Sequence, residues 1–163
     1  MRLQESILSE AHAVKCELAA DVLRSQGKLR IQVTGWSMFP SIRPGDALFV
    51  DRINSSDISE GDIVLFQRDR RLFAHRVVAN TSGGVFPIVT RGDAMPQPDS
   101  PLDETELLGR VSSILRDGKQ IQPRKALPFP ESTLATLVRR SDTIARFIVG
   151  IQGLRHRSRV QTA

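Results

Sequence analysis

Cysteine is nearly missing from this 163-residue chain. Cys16 is the only one, so no disulfide can form within the chain. Long apolar runs are missing as well. No stretch of about 18 apolar residues occurs, which argues against a membrane-spanning helix. The N-terminus lacks the unbroken apolar core of a secretory signal, because Glu5, Glu10, His12, Lys15 and Glu17 interrupt it. No repeat or low-complexity tract stands out. Lysine is absent between residues 29 and 118. A nucleophilic serine in that region therefore cannot take its base from a lysine of the same region.

The composition that remains is that of a globular protein, with 40% hydrophobic and 25% charged residues. Its length suits one domain with a substantial core plus a small appendage. The net charge of +5 is unevenly placed. From Lys119 to the end, nine Lys/Arg face only Glu131 and Asp142, a net +7, which leaves −2 for the preceding part. The basicity belongs to the tail, so the body is not expected to bind nucleic acid.

Residues 3–26 read as an amphipathic helix with Leu3, Ile7, Ala11, Val14, Leu18 and Val22 as its apolar stripe and Gly27 as its stop. This helix either packs on the core or docks a partner. Cys16 reads as a small apolar residue on a helix face. The texture then changes to strands and turns. Strands are expected over residues 29–34, 47–52, 62–68, 71–79, 85–91, 107–116 and 119–122. Asp69-Arg70, Ser82-Gly83-Gly84 and Asp117-Gly118 mark turns, the last a strong hairpin signal. Residues 94–101 hold three prolines and read as loop. After a proline-bearing connector, residues 131–154 read as a second amphipathic helix, followed by a basic end. The expected organisation is an N-terminal helix (1–27), a β-rich catalytic body (28–122) and a connector with a basic helical tail (123–163). The fold class is mainly β, in an α+β arrangement. The basic helix is suited to an anionic membrane surface, or to covering its own core or a protein partner.

Chemistry concentrates at Gly35-Trp36-Ser37-Met38-Phe39-Pro40. A serine hydroxyl attacks a carbonyl only when a base takes its proton and backbone amides receive the oxyanion. His75 is the one histidine between residues 29 and 118, and imidazole is suited to moving protons near neutrality. On a strand it shares a face with Phe73 and Val77. A catalytic imidazole needs a carboxylate to hold its tautomer, and Asp93 and Asp99 lie in the following loop. Either acid can instead be an ordinary loop carboxylate, and Asp93 can pair with a nearby arginine. No metal or cofactor is expected, since one cysteine and dispersed histidines offer no ligand cluster.

In order along the chain, the segments Gly35-x-Ser37-Met38-x-Pro40-x-Ile42-x-x-Gly45-Asp46, Gly61–Phe66, Ala74–Val78, Thr90–Ala94 with Asp99, and Gly109–Val111 resemble the successive boxes of type I signal peptidases. His75 stands where the common bacterial enzymes have lysine, which resembles the eukaryotic, archaeal and spore-former branch. The resemblance implies a serine endopeptidase with Ser37 as nucleophile, His75 as general base, Asp99 as orienting acid and Asp93 as a second acid that orients or braces the site. It also implies a β-rich body shared with the self-cleaving stress-response repressors, and a peptide or protein precursor as substrate.

Two features depart from the family pattern. A charged amphipathic helix stands where relatives carry a transmembrane anchor, so the expected location is cytoplasmic, free or peripheral to a membrane. Gly35 stands where many relatives carry a hydroxyl that assists the oxyanion hole. A different class of function, a peptide-binding or scaffold module that keeps the fold without activity, is the alternative. A DNA-linked regulator would rest on the basic tail alone.

Overall fold

The computed structural model describes residues 2–80 and 87–126. The expected C-terminal helix and basic end lie outside these residues, as does the turn at Ser82-Gly83-Gly84. Within them the elements are α1 (Arg2–Gln26), β1 (Lys28–Gln32), β2 (Ala47–Asp51), a 3-10 turn (Ser55–Asp57), β3 (Ile63–Arg68), β4 (Arg71–Asn80), β5 (Ile88–Arg91), β6 (Leu107–Arg116) and β7 (Lys119–Ile121). The fold is mainly β.

Local turn chemistry sets the order of the strands. Asp69 and Arg70 both take positive φ, 50° and 59°, which closes the β3–β4 hairpin at the pair Arg68–Arg71. Asp117 and Gly118, at 49° and 76°, do the same between β6 and β7. Two central residues with positive φ match the right-handed twist of the strands they join. The sheet runs β1-β2-β6-β3-β4-β5, with β7 also paired to β6, and every pairing is antiparallel.

Both faces of the central strands are buried. Ile63 and Leu65 of β3 join one apolar cluster with Met38, Ile42, Leu48, Val50 and Leu23, while Val64 and Phe66 join a second with Val77, Ile88 and Leu102. On β4, Leu72 and Ala74 pack on the first cluster and Phe73 and Val77 belong with the second. Strand periodicity then directs His75 to the second face and Arg76 to the first.

The helix forms where expected and ends at Gly27, whose φ is 71°. Its docking face differs from the expected stripe. Ala13, Cys16, Ala20 and Leu23 are buried, whereas Val14 and Leu18 are 59% and 63% exposed. The buried set also recurs every three or four residues, and it is made of smaller side chains. Small residues let the helix axis approach the sheet. Leu23 completes the fit over Gly109 of β6, where a Cβ would come within 3.1 Å of the Leu23 side chain and 2.5 Å of Asp51 O. Among the described residues no helix is long and apolar enough to cross a membrane.

Candidate active site

Ser37 lies in the turn between β1 and β2, and this turn is held from both ends. Phe39 N donates to Trp36 O (3.0 Å) and Ile42 N to Met38 O (3.0 Å). Met38 and Ile42 are buried in the first apolar cluster, so the residues after the serine are fixed by packing. At the far end, the buried Asp46 carboxylate accepts from Arg43 N (2.8 Å) and from the Arg116 guanidinium (2.7 Å at Nη2). Arg116 also donates to Ser41 O (2.9 Å), which ties the turn to β6. Burial alone would raise the Asp46 carboxyl, but these bonds and the positive charge of Arg116 hold it below its ordinary value.

His75 meets this turn from β4. Its Nε2 is 3.0 Å from Ser37 Oγ and its Nδ1 is 2.7 Å from Asp99 Oδ2. Only 4% of His75 is exposed, and the rings of Phe66 and Phe73 lie 5.8 Å from the imidazole. Asp99 is held in turn. Thr90 Oγ1 donates to its Oδ2 (2.7 Å), and its own amide donates to Thr90 O (2.8 Å). Burial acts to raise the Asp99 carboxyl. The hydrogen bonds from His75 and Thr90, with the nearby charge of Arg68, outweigh it and keep the group below its usual range. An ionised Asp99 accepts a hydrogen bond from Nδ1–H and leaves Nε2 as the acceptor facing the serine hydroxyl.

Asp93 is engaged elsewhere. Arg76 donates to both of its oxygens, Nε to Oδ1 and Nη2 to Oδ2, each at 2.8 Å. Ser41 Oγ donates to the same carboxylate and accepts from Arg76 Nη2 at 3.2 Å. The remaining Arg76 nitrogen donates to Gly61 O (2.9 Å) and Arg124 O (2.6 Å). This buried, fully hydrogen-bonded pair fixes the Gly92-Asp93 turn beneath the serine. Ala94 N donates to Ser37 O (2.9 Å), and a Cβ on Gly92 would lie only 2.6 Å from that oxygen and 3.1 Å from Ser37 Cβ. Only glycine lets the two turns come this close.

The structure thus brings Ser37, His75 and Asp99 into one hydrogen-bonded line and sets Asp93 beside it on Arg76. Thr90, Arg76, Ser41 and Gly92 were not singled out as supports of the site. Thr90 and Gly92 shortly precede Asp93 in Thr90-Arg91-Gly92-Asp93, and Arg76 follows the histidine, so for these three adjacency was the available signal. Among the described residues no three His, Cys, Asp or Glu side chains gather as a metal site would need.

A family model described as Peptidase S24-like matches residues 4–112. The chain belongs to the Peptidase S24-like family. No curated protein matches it. The S24-like match begins within α1, takes in Ser37, His75, Asp93 and Asp99, and ends within β6. The family is one of peptidases, and the antiparallel β body described above is consistent with it.

Proposed function

We propose that this S24-like chain is a serine endopeptidase resembling signal peptidase, acting on a peptide or protein precursor through an acyl-enzyme. The observation that carries the proposal is the Ser37–His75–Asp99 line, with its 3.0 Å and 2.7 Å contacts. This line favours catalysis over a scaffold role, because a binding module has no need of a base aligned on a hydroxyl.

Edge strand β1 leads into the Ser37 turn, whereas the outer side of β5 is already taken by the returning chain, with Asp99 N on Thr90 O and Leu102 N on Ile88 O. An extended peptide added to the β1 edge would run past the serine. Ser37 Oγ attacks the scissile carbonyl carbon as His75 Nε2 takes the hydroxyl proton. The Ser37 amide is the proposed oxyanion donor. Asp99 stabilises the imidazolium and holds its orientation. The C–N bond then breaks, and the imidazolium returns the proton to the leaving amine. Water repeats the sequence in reverse roles: His75 takes its proton, the acyl carbon accepts the hydroxide, and Ser37 leaves reprotonated. Asp93 braces the serine turn through Arg76 and Ser41.

The test is covalent labelling by a fluorophosphonate probe. The wild-type chain is expected to label at Ser37. Ser37→Ala and His75→Ala are each expected to lose labelling while retaining the native circular dichroism spectrum. Undiminished labelling in both variants refutes the assignment.

A further inference from the structure

Arg68 closes β3, immediately before the Asp69-Arg70 turn. It makes no contact with Ser37 or His75 in the site described above, yet all five of its N–H donors have acceptors. Nε and Nη2 donate to the two oxygens of Glu106, each at 2.6 Å. Nη1 donates to Ser100 Oγ (2.6 Å) and Ser100 O (3.1 Å), and Nη2 also reaches Pro101 O (2.9 Å). Glu106 is itself fixed, since its Oε2 accepts from Asp103 N (2.9 Å) and its carbonyl accepts from Gln67 N (2.9 Å).

Ser100 and Pro101 are the two residues that follow Asp99. On the other side, Asp99 is held by Thr90, and beyond Pro101 the chain is held by Leu102 N donating to Ile88 O (2.8 Å). The loop from Ala94 to Pro101 otherwise lacks ladder bonds. Met95, Gln97 and Ser100 are exposed. The position of the Asp99 carboxylate therefore depends on two clamps, one at Thr90 and one at Arg68. Only a planar fork with five donors can bind one carboxylate and two successive residues of a loop at once, so lysine is no substitute.

We infer that Arg68 is a positioning residue for the proposed reaction, pinning the Ser100–Pro101 backbone so that Asp99 stays in line with His75 Nδ1. Two further contacts agree. The Arg68 guanidinium lies 5.7 Å from the centre of the Phe66 ring, which packs edge-on against the imidazole at 5.8 Å. Its charge also helps keep the Asp99 carboxyl below its ordinary range, after the larger effects of burial and of the bonds from His75 and Thr90. The inference rests on the reading of Ser37, His75 and Asp99 as the catalytic line.

The experiment compares wild type and Arg68→Lys in three measurements: the rate of fluorophosphonate labelling, the urea unfolding midpoint, and the downfield proton resonance of His75 Nδ1–H. The lysine variant keeps the charge and loses the fork. It is expected to fold, to label about tenfold more slowly or worse, as small misplacements of a reacting group do, and to show a weakened Nδ1 proton signal through faster exchange with water. A folded Arg68→Lys with wild-type labelling and an unchanged Nδ1 signal overturns the inference and leaves the serine-peptidase reading standing. A wild-type chain that does not label at all overturns both. Should Arg68→Lys fail to fold, Ser100→Ala decides. It removes one bond beside Asp99, and labelling slowed severalfold supports the inference while an unchanged rate overturns it.

Discussion

Two acids six residues apart compete for one role, and their asparagine variants are expected to fail in different ways. Asp99→Asn keeps the shape of the side chain, and Thr90 Oγ1, which donates to the same Oδ2 that faces His75 Nδ1, can turn to accept from the amide NH₂. It changes what Nδ1 meets. An amide can present its NH₂ to the ring and so favour the tautomer with the proton on Nε2, where Ser37 needs an acceptor. Loss of the correct tautomer in a serine–histidine–acid system costs about 10⁴ in rate, or about 5 kcal/mol of transition-state stabilisation. The stability cost is expected to be small, about 1–2 kcal/mol, because the Asp99 side chain is 25% exposed and keeps its neutral partners. Asp93→Asn should behave in the opposite way. Its carboxylate is 4% exposed and neutralises an Arg76 side chain that is 9% exposed. Removing that charge leaves a buried guanidinium without its counter-ion, a loss of roughly 3–5 kcal/mol in folding free energy.

The assay pairs the rate constant of fluorophosphonate labelling with urea unfolding of each variant. Asp99→Asn should unfold near the wild-type midpoint and label at about 10⁻⁴ of the wild-type rate. Asp93→Asn should unfold at clearly lower urea. In the fraction still folded, its labelling should fall less than that of Asp99→Asn. The reverse outcome, with Asp99→Asn labelling normally and a stable Asp93→Asn failing to label, makes Asp93 the orienting acid and refutes the argument.

Three further outcomes follow from the same contacts. Gly92→Ala forces a Cβ to within 2.6 Å of Ser37 O and 2.7 Å of Met95 Cγ, so the serine turn must shift. Labelling should drop by about 10²-fold, and a wild-type rate would show that the two turns separate freely. Gly35→Ser meets nothing within 4 Å, so it should fold normally. A hydroxyl there adds an oxyanion donor and should raise the labelling rate about tenfold, whereas an unchanged rate would place the oxyanion elsewhere. Acid should destabilise the fold in a specific window. Glu106, bonded by Arg68, and Asp46 and Asp99, whose bonds outweigh their burial, all sit below their ordinary values of 4.5, 3.8 and 3.8. Each therefore binds its proton more tightly when unfolded. Their stabilisation is complete above about pH 5 and is lost as pH falls through the depressed folded values, so the urea midpoint should fall between about pH 5 and pH 3. A midpoint constant over that window would contradict these ion pairs.

Much of the fold was legible because its signals are local. Strand–turn alternation, the Asp117-Gly118 pair and the proline-rich loop each act within a few residues. The face of α1 was not legible. Val14 and Leu18 form as regular a stripe as Ala13, Cys16, Ala20 and Leu23, and hydrophobicity favours the larger side chains. What chose the smaller ones was the closeness of the sheet at Gly109, a property of β6 rather than of the helix. The site shows the same division. Ser37 and His75 stand out by their surroundings in sequence, but the Arg68 clamp joins residues 32 to 38 positions apart, and no local pattern marks it.

The ambiguity between Asp93 and Asp99 has a structural reason for ending as it does. Neighbours on a strand point to opposite faces, so β4 presents His75 on one side and Arg76 on the other. The segment after β5 leaves the sheet at Gly92 and returns beside it, with Asp99 N bonded to Thr90 O and Leu102 bridged to Ile88. Asp93 sits on the outward leg, where Arg76 and Ser41 receive it. Asp99 sits on the return leg, where Thr90 and His75 do. Exchanging the acids would require the imidazole and the guanidinium to exchange faces as well, a one-residue slip of β4 against β3. Such a slip would also drive Phe73 and Val77 out of the second apolar cluster. The packing of the sheet, more than any direct contact between the two carboxylates, therefore assigns each acid its partner.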